Sequence, residues 1–477
     1  MTIFIIGAGF TGMQLAKMLE LERNKVVLID NDAEKVRHAS DELDCTVLET
    51  DGNSIEVLEQ AGIASADAFV ALTGDDEVNM ITCQLVDSAY PDILKIARVR
   101  NYAYYSAVDS ASRRKKTSGK ETVRAMYGMD AMVNPDVEAA IAIHRAVEYG
   151  AVGNIIDLKD GFVLTTLGVG NGSALVGRRM RELSGIDGWN YLVAFAEQKS
   201  GALIPRGDTV INSGDTLGVV SRAADVAKIA QFAQATHETF RRIVIFGADR
   251  VGAMLIPLVA EQRHGALWQM IFGGKFQKSQ REIIVVDRNA DRCKEIAKRH
   301  SNVRVLCGDI TDEALMNEGD LYSCDLIVAA SGNYELNLVT AAYMKSKGAN
   351  KAVALTASTA YEAVARKLGI DVAIPMRGTV VDSILSHLRG RNVSAIHSVC
   401  NRSFEIVEGD ISDKSRFAGK KLRELGDLDS EFLLLLARNS GGATAMPNGE
   451  TALDAGSHVV LIVRSGDTRL IARICGK

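Results

Sequence analysis

The chain has 477 residues, 47% hydrophobic and 24% charged, enough apolar material for several buried cores, which excludes a disordered polymer. Its 55 basic and 60 acidic residues leave a net charge of -5, so no overall field gathers nucleic acid or anionic lipid, and nucleic acid is set aside as a partner. The cysteines form no CxxC pair, the first residues lack a signal-peptide pattern, and no apolar run approaches the ~18–20 residues that span a bilayer. The expectation is a reducing, cytoplasmic compartment, with any membrane role exercised from outside the lipid.

From the N-terminus, short runs rich in β-branched residues fall near 3–6, 25–29, 45–48, 68–72, 94–99 and 131–133, each followed by helical periodicity. That alternation predicts a doubly wound parallel sheet with helices on both faces. Between the last two runs, "SAVDSASRRKKTSGKE" (106–121) is either a solvated loop or a contact for anionic lipid or an acidic surface through Arg113, Arg114, Lys115 and Lys116. A helix follows from Pro135, with an apolar stripe through Val137, Ala140, Ile141, Ile143 and Val147 that suits a crossing to another domain or partner. From 153 to about 230 the pattern becomes alternating β segments with glycine turns around one short helix at 176–183, a small α+β module.

The second half repeats the first. "TIFIIGAGFTGMQLA" returns as "RRIVIFGADRVGAML", "VGRRMRELSG" as "AGKKLRELGD", and "IPRGDTVINSGDTLGVV" as "MPNGETALDAGSHVVLI", each about 240 residues on. The predicted fold is therefore α/β: two tandem Rossmann-like doubly wound sheets, each followed by a small α+β module. The expected boundaries are 1–150, 151–236, 237–392 and 393–477. A second insert, 263–280, carries Trp268, Ile271 and Phe272 and so has material to pack.

The first glycine turn, "GAGFTG", follows a strand and opens a helix. Gly7 permits the sharp turn, Gly9 lets the backbone approach a pyrophosphate, and Gly12 lets the helix pack on the strand, with Ala8, Phe10 and Thr11 between them. Phosphates then sit at the helix N-terminus. Asp30 ends the second strand, near the spacing of a ribose-binding acid, and would repel a 2′-phosphate, which favours NAD(H) or an adenosine nucleotide over NADP(H); the alternative is that it caps the next helix. Asp51, Thr73, Gly74 and Arg98 lie at further strand ends and point to the same crevice, Arg98 as a phosphate ligand or as one half of a surface ion pair.

Together "IIGAGFTG", "VVLIDND", "ETDGNS", "VALTGDDEVN" and "IARVRN", followed by "LVGRRMRELSG" and "GDTLGVVS", closely resemble the RCK (KTN) regulatory domains of potassium channels and transporters, over nearly the whole chain. The resemblance implies a homo-oligomeric ring, a tetramer or dimer of dimers, on the cytoplasmic face of the inner membrane, docked to a membrane potassium channel or transporter subunit. It implies NAD(H) as ligand, with ATP or ADP as alternatives, in the sheet crevice. Gly7 to Gly12 would hold phosphate, Asp30 the ribose, Asp51 and Thr73 the nucleoside and adjoining groups, and Arg98 the phosphates. The small modules would be RCK C-terminal subdomains.

The second copy departs from the pattern. Asp249 replaces the middle glycine and Leu355 falls where Arg98 lies, while Gly247, Arg250, Gly252, Asp287, Asp309 and Ser331 keep the frame. Either this copy has lost its nucleotide and survives as packing surface, or Arg250 pairs with Asp249 or reaches phosphates, giving a site of different preference.

Competing functions are an NAD-dependent oxidoreductase and a sensor whose small modules hold a cyclic dinucleotide or metal ion. The first needs an acid/base beside the nicotinamide from a substantial second domain, and the modules are too short for one. The histidines show no HExxH or paired ligand spacing, and no GxSxG or P-loop lysine motif occurs, so neither a metal site nor a catalytic residue is expected. A nucleotide without catalytic neighbours is an effector.

Overall fold

The computed structural model describes residues 1–22, 24–105, 128–148, 152–158, 160–183, 190–198, 200–233, 240–260, 281–310, 312–389, 395–400, 403–413, 415, 417–424, 432–438 and 444–464. The basic stretch 106–121 and the insert 263–280 lie outside them.

The first sheet comprises β1 (Thr2–Ile6), β2 (Lys25–Asp30), β3 (Thr46–Glu49), β4 (Ala68–Ala71), β5 (Leu94–Arg98) and β6 (Ala131–Val133), all parallel in the order β3-β2-β1-β4-β5-β6. The helices between and after them are α1 (Phe10–Leu21), α2 (Ala33–Glu42), α3 (Ile55–Gln60), α4 (Asp76–Ala89) and α5 (Pro135–Glu148). A parallel sheet is covered on both faces, and the strand sequences show it. In β1, Ile3 and Ile5 enter one apolar cluster while Phe4 and Ile6 enter the other.

The first small module pairs β7 (Val152–Asp157), β8 (Phe162–Gly168), β9 (Tyr191–Gln198), β10 (Gly201–Leu203) and β11 (Thr216–Arg222) in the order β10-β9-β11-β8-β7, antiparallel, with α6 (Val226–Phe232) after it. The helix expected at 176–183 is a single 3-10 turn, Met180–Glu182. Gly177 has φ +81°, a left-handed conformation that stops a helix before it can propagate.

The second sheet repeats the first: β12 (Arg242–Phe246), β13 (Glu282–Asp287), β14 (Val303–Cys307), β15 (Leu326–Ala329), β16 (Lys351–Thr356) and β17 (Val372–Pro375), ordered β14-β13-β12-β15-β16-β17. Its helices are α7 (Arg250–Ala260), α8 (Ala290–Arg299), α9 (Glu313–Glu318), α10 (Tyr334–Lys347), α11 (Glu362–Lys367) and α12 (Met376–Arg389). The last module holds β18 (Ala395–Val399), β19 (Phe404–Asp410), β20 (Lys420–Lys421), β21 (Phe432–Arg438), β22 (Thr444–Ala445), β23 (Ala452–Leu453) and β24 (His458–Arg464), with main-sheet order β18-β19-β24-β21-β22.

The chain forms two compact units, and they group the copies by type. One contains Met1–His144, Arg242–Glu261 and Arg281–Leu388, so both parallel sheets belong to it; the other takes Arg145–Arg241 and Arg389–Lys477. The division falls inside α5. In the first unit, Val380, Val381, Ile384, Leu385 and Leu388 of α12 pack into the core of the first sheet beside Ile3, Ile5 and Val133. Each such buried aliphatic side chain contributes roughly 1.5–3 kcal/mol, so the second copy is part of the first copy's core. In the second unit, Phe162, Leu164 and Val220 of the first module share a core with Phe404, Ile406 and Val460 of the last. Arg438 and Thr444 both donate to Asp160 at its edge.

Candidate functional site

In the first sheet β1 and β4 are neighbours although β2 follows β1, so the strand order reverses between them. A crevice opens at such a switch point, outside the carboxyl ends of the strands. Gly7 turns there with φ +101°, and an added Cβ would lie 2.8 Å from the Leu72 carbonyl and 2.9 Å from the Thr73 nitrogen. Gly12 is equally committed, because its Cβ would fall 1.9 Å from the Gly7 oxygen. Gly9, which precedes α1, faces no heavy atom within 4 Å of the Cβ it lacks, so its open side looks into the crevice.

Asp30 does more than the sequence shows. One carboxylate oxygen accepts the Ala8 N–H at 2.7 Å and the other accepts the Asp32 N–H at 3.0 Å. It thereby braces the glycine turn from the end of β2. The cap of α2 is Asp32, whose side chain accepts from Glu34 and Lys35. Lys35 stands 3.7 Å from Asp30.

A second brace is Asn79 on α4, a residue that sequence reasoning does not single out. It is fully buried, and its Oδ1 accepts from the Thr73 N–H at 2.9 Å and the Thr73 hydroxyl at 2.7 Å. Its Nδ2 donates to the Arg98 carbonyl at 2.9 Å, tying the ends of β4 and β5 together.

Arg98 is 8% exposed and donates from Nη2 to the Thr73 carbonyl at 2.5 Å. Among the described residues its Nε has no partner, and Asp76 is the acidic group that acts on it. Burial, and then the neighbouring Arg100, bring its pKa down to about 10.

The crevice is about 750 Å³ and is lined by Gly7, Gly9, Phe10, Thr11, Asp30, Asp51, Thr73, Gly74 and Arg98. Ala8 and Gly12 support the same turn from behind. The other wall comes from the second copy: Arg250, Tyr334, Met376, Arg377 and Val380. The Arg377 guanidinium lies 4.4 Å from the centre of the Phe10 ring. Arg250 lies 3.9 Å from Asp136 at the start of α5, and burial raises the Asp136 pKa against the pull of Arg250 and Arg100. Arg250 therefore faces the first copy's crevice, a placement that a reading of each copy by itself does not reach.

The second copy keeps the frame. Gly247 turns with φ +99°, Gly252 packs against the Gly247 carbonyl, and Asp287 accepts the Ala248 N–H at 2.7 Å. Ser331 donates to Asn337 from its N–H at 3.0 Å and from its hydroxyl at 2.6 Å. Asp309 lies 3.5 Å from Arg288. Asp249 accepts the Gly332 N–H at 2.5 Å. Leu355, whose carbonyl takes the Asn337 amide as Arg98 takes that of Asn79, is buried.

The TrkA-N domain model matches residues 3–114 and 273–375, and the TrkA-C domain model matches residues 164–234. A Trk system potassium uptake protein trkA homolog 1 of Methanosarcina mazei is 30% identical over 434 residues, covering 89% of this chain and 98% of the relative. The chain belongs to the TrkA family. Trk system potassium uptake protein TrkA of Halomonas elongata is 28% identical, covering 97% of this chain and 96% of its own. Among solved structures, the GsuK RCK domain is similar with TM-score 0.57 and 16% identity, covering 100% of this chain and 95% of that one. The GsuK channel bound to NAD matches with TM-score 0.57 and 16% identity over 99% of this chain and 78% of that chain. The fold is thus that of RCK domains, and the relatives in this family are named as potassium uptake proteins of Trk systems. No helix among the described residues is long and apolar enough to cross a membrane.

Proposed function

We propose that the first crevice is an effector site for an adenine nucleotide, NAD(H) or ADP/ATP, through which the chain regulates a Trk-type membrane potassium channel or transporter subunit from the cytoplasmic face of the inner membrane. The observation that carries this reading is Arg98. Its Nε has no partner, and the acidic neighbour Asp76 only partly offsets its burial, so an anion in the crevice would complete the site. The open side of Gly9 and the N-terminus of α1 give that anion a place. Asp30, held at the end of β2, favours a ribose with a free 2′-hydroxyl.

A bound diphosphate would meet Arg98 and the glycine turn on one side and Arg250 and Arg377 on the other. Its binding energy would then depend on the spacing of the two copies, and a ligand shifts a conformational equilibrium by its difference in affinity for the two states. In a homo-oligomeric ring, a tetramer or dimer of dimers, that shift would be passed to the membrane partner. The choice of ligand is supported by the similar GsuK channel, whose structure is bound to NAD.

The test is calorimetric titration of the wild-type chain and Gly9→Asp with NAD, NADH, ADP and ATP. One strong equivalent per chain, lost in the variant, is expected. Unchanged affinity in Gly9→Asp would remove the crevice as receptor. Release or rearrangement of a co-purified potassium transporter by the same nucleotide tests the partner.

A further inference from the structure

We propose that Asp249 is a tethered anion: in the second copy's crevice its carboxylate takes the place that a ligand phosphate takes in the first, so this crevice is a nucleotide-type site filled by the chain itself. The inference rests on reading the first crevice as a nucleotide site.

The two frames match bond for bond. The turn N–H of Gly7 donates to Ile29 at 2.7 Å and that of Gly247 to Val286 at 2.9 Å. Asp30 and Asp287 each accept the next N–H of the turn at 2.7 Å. Asn79 reaches the carbonyl of Arg98 at 2.9 Å, and Asn337 that of Leu355 at 3.0 Å. The second copy therefore holds its glycine turn and strand ends in the same geometry as the first.

What differs is the chemistry inside. A side chain at the position of Gly9 meets no protein atom, so the matching place in the second copy can hold Asp249 without displacing the core. Its carboxylate crosses to the Gly332 N–H at 2.5 Å, the amide that follows Ser331 as Gly74 follows Thr73. It also stands at the N-terminus of α7, where free N–H groups favour negative charge. Burial raises its pKa, with Asp287 and Asp136 adding to the rise and the Gly332 N–H and Arg292 opposing it. The second change is complementary: Leu355 replaces Arg98, so the cation and the need for a multiply charged ligand disappear together. The result is a copy fixed by its own side chain, against which the first copy can be moved by ligand.

Hydrogen exchange of the full-length protein, read by mass spectrometry over peptides containing Gly74 and Gly332, tests this. In wild type, ADP should slow exchange at Gly74, while Gly332 is protected with or without it. In Asp249→Gly, Gly332 should exchange at least tenfold faster, and ADP or inorganic pyrophosphate should restore its protection. Asp249→Ala, which adds no backbone freedom, should show the same opening. Unchanged exchange at Gly332 in both variants, or faster exchange that neither anion reverses, overturns the inference. Failure of ADP to slow Gly74 in wild type, with pyrophosphate still restoring Gly332 in Asp249→Gly, would instead strike the reading of the first crevice.

Discussion

The guanidinium of Arg377, from the second copy, stacks 4.4 Å from the ring of Phe10, which lies inside the first copy's glycine turn. This contact crosses the repeat at the mouth of the crevice. Phe10 is 50% exposed, so the ring is held by this cation and not by the core. An exposed cation–π contact contributes ~0.5–1 kcal/mol. Arg377→Ala should therefore lower stability by about that amount in a urea melt. It should also weaken ADP or NADH binding roughly tenfold, because one charge-assisted contact is worth about 1.5 kcal/mol or more. Equal nucleotide affinity in variant and wild type would show that this wall does not touch the ligand.

Arg98→Leu imitates the second copy, where Leu355 occupies the equivalent place. Removing a buried charge relieves its desolvation cost, so the apo protein should melt at the same temperature or a few degrees higher. Nucleotide affinity should fall about 100-fold, since a buried charge-assisted contact is worth about 3 kcal/mol. A variant that is destabilised and still binds would mean that Arg98 serves the fold alone.

Much of this was legible in the sequence for a plain physical reason. Strands buried on both faces must be apolar along their length, so the runs beginning at Ile3, Val26 and Phe69 announce themselves, and Gly7 and Gly12 sit where any side chain would collide. The crevice's second wall was not legible. Arg250 and Arg377 reach it because α12 packs on the first sheet, and no local periodicity reports which of two similar cores a helix enters. Asn79 escapes a sequence reading for a different reason: a buried asparagine bracing two strand ends looks, in sequence, like any polar residue in the first turns of a helix.

Asp136 supplies a pH signature. Its carboxyl pKa is raised by burial despite Arg250 and Arg100. A raised folded-state pKa means that the folded protein holds this proton more tightly than the unfolded chain. The resulting stability is fully present below the unfolded carboxyl range near pH ~4 and is lost as pH rises through the folded value. Asp136→Asn removes the ionised form, so at pH 7 the variant should be as stable as wild type or more so, with any advantage shrinking as pH falls. Anionic nucleotides should bind it several-fold more tightly at pH 7. A variant advantage that grew on acidification would contradict the assignment.

Gly7→Ala and Gly9→Asp separate fold from site within one turn. At Gly7 the backbone is at φ +101° and a Cβ would press on the Leu72 carbonyl, which backbone atoms cannot yield cheaply. Strain of this kind costs ~1–3 kcal/mol before the contact is counted, so Gly7→Ala should lower the melting temperature by several degrees and lose nucleotide binding only as a consequence. At Gly9 the space beyond the missing Cβ is open, so Gly9→Asp should fold with little change in stability while losing the nucleotide. Its carboxylate should turn to the Gly74 N–H as Asp249 turns to Gly332, and exchange at Gly74 should slow without ligand. If Gly9→Asp instead unfolded as readily as Gly7→Ala, the open side of the turn would be closed in solution, and the crevice would have no room for phosphate.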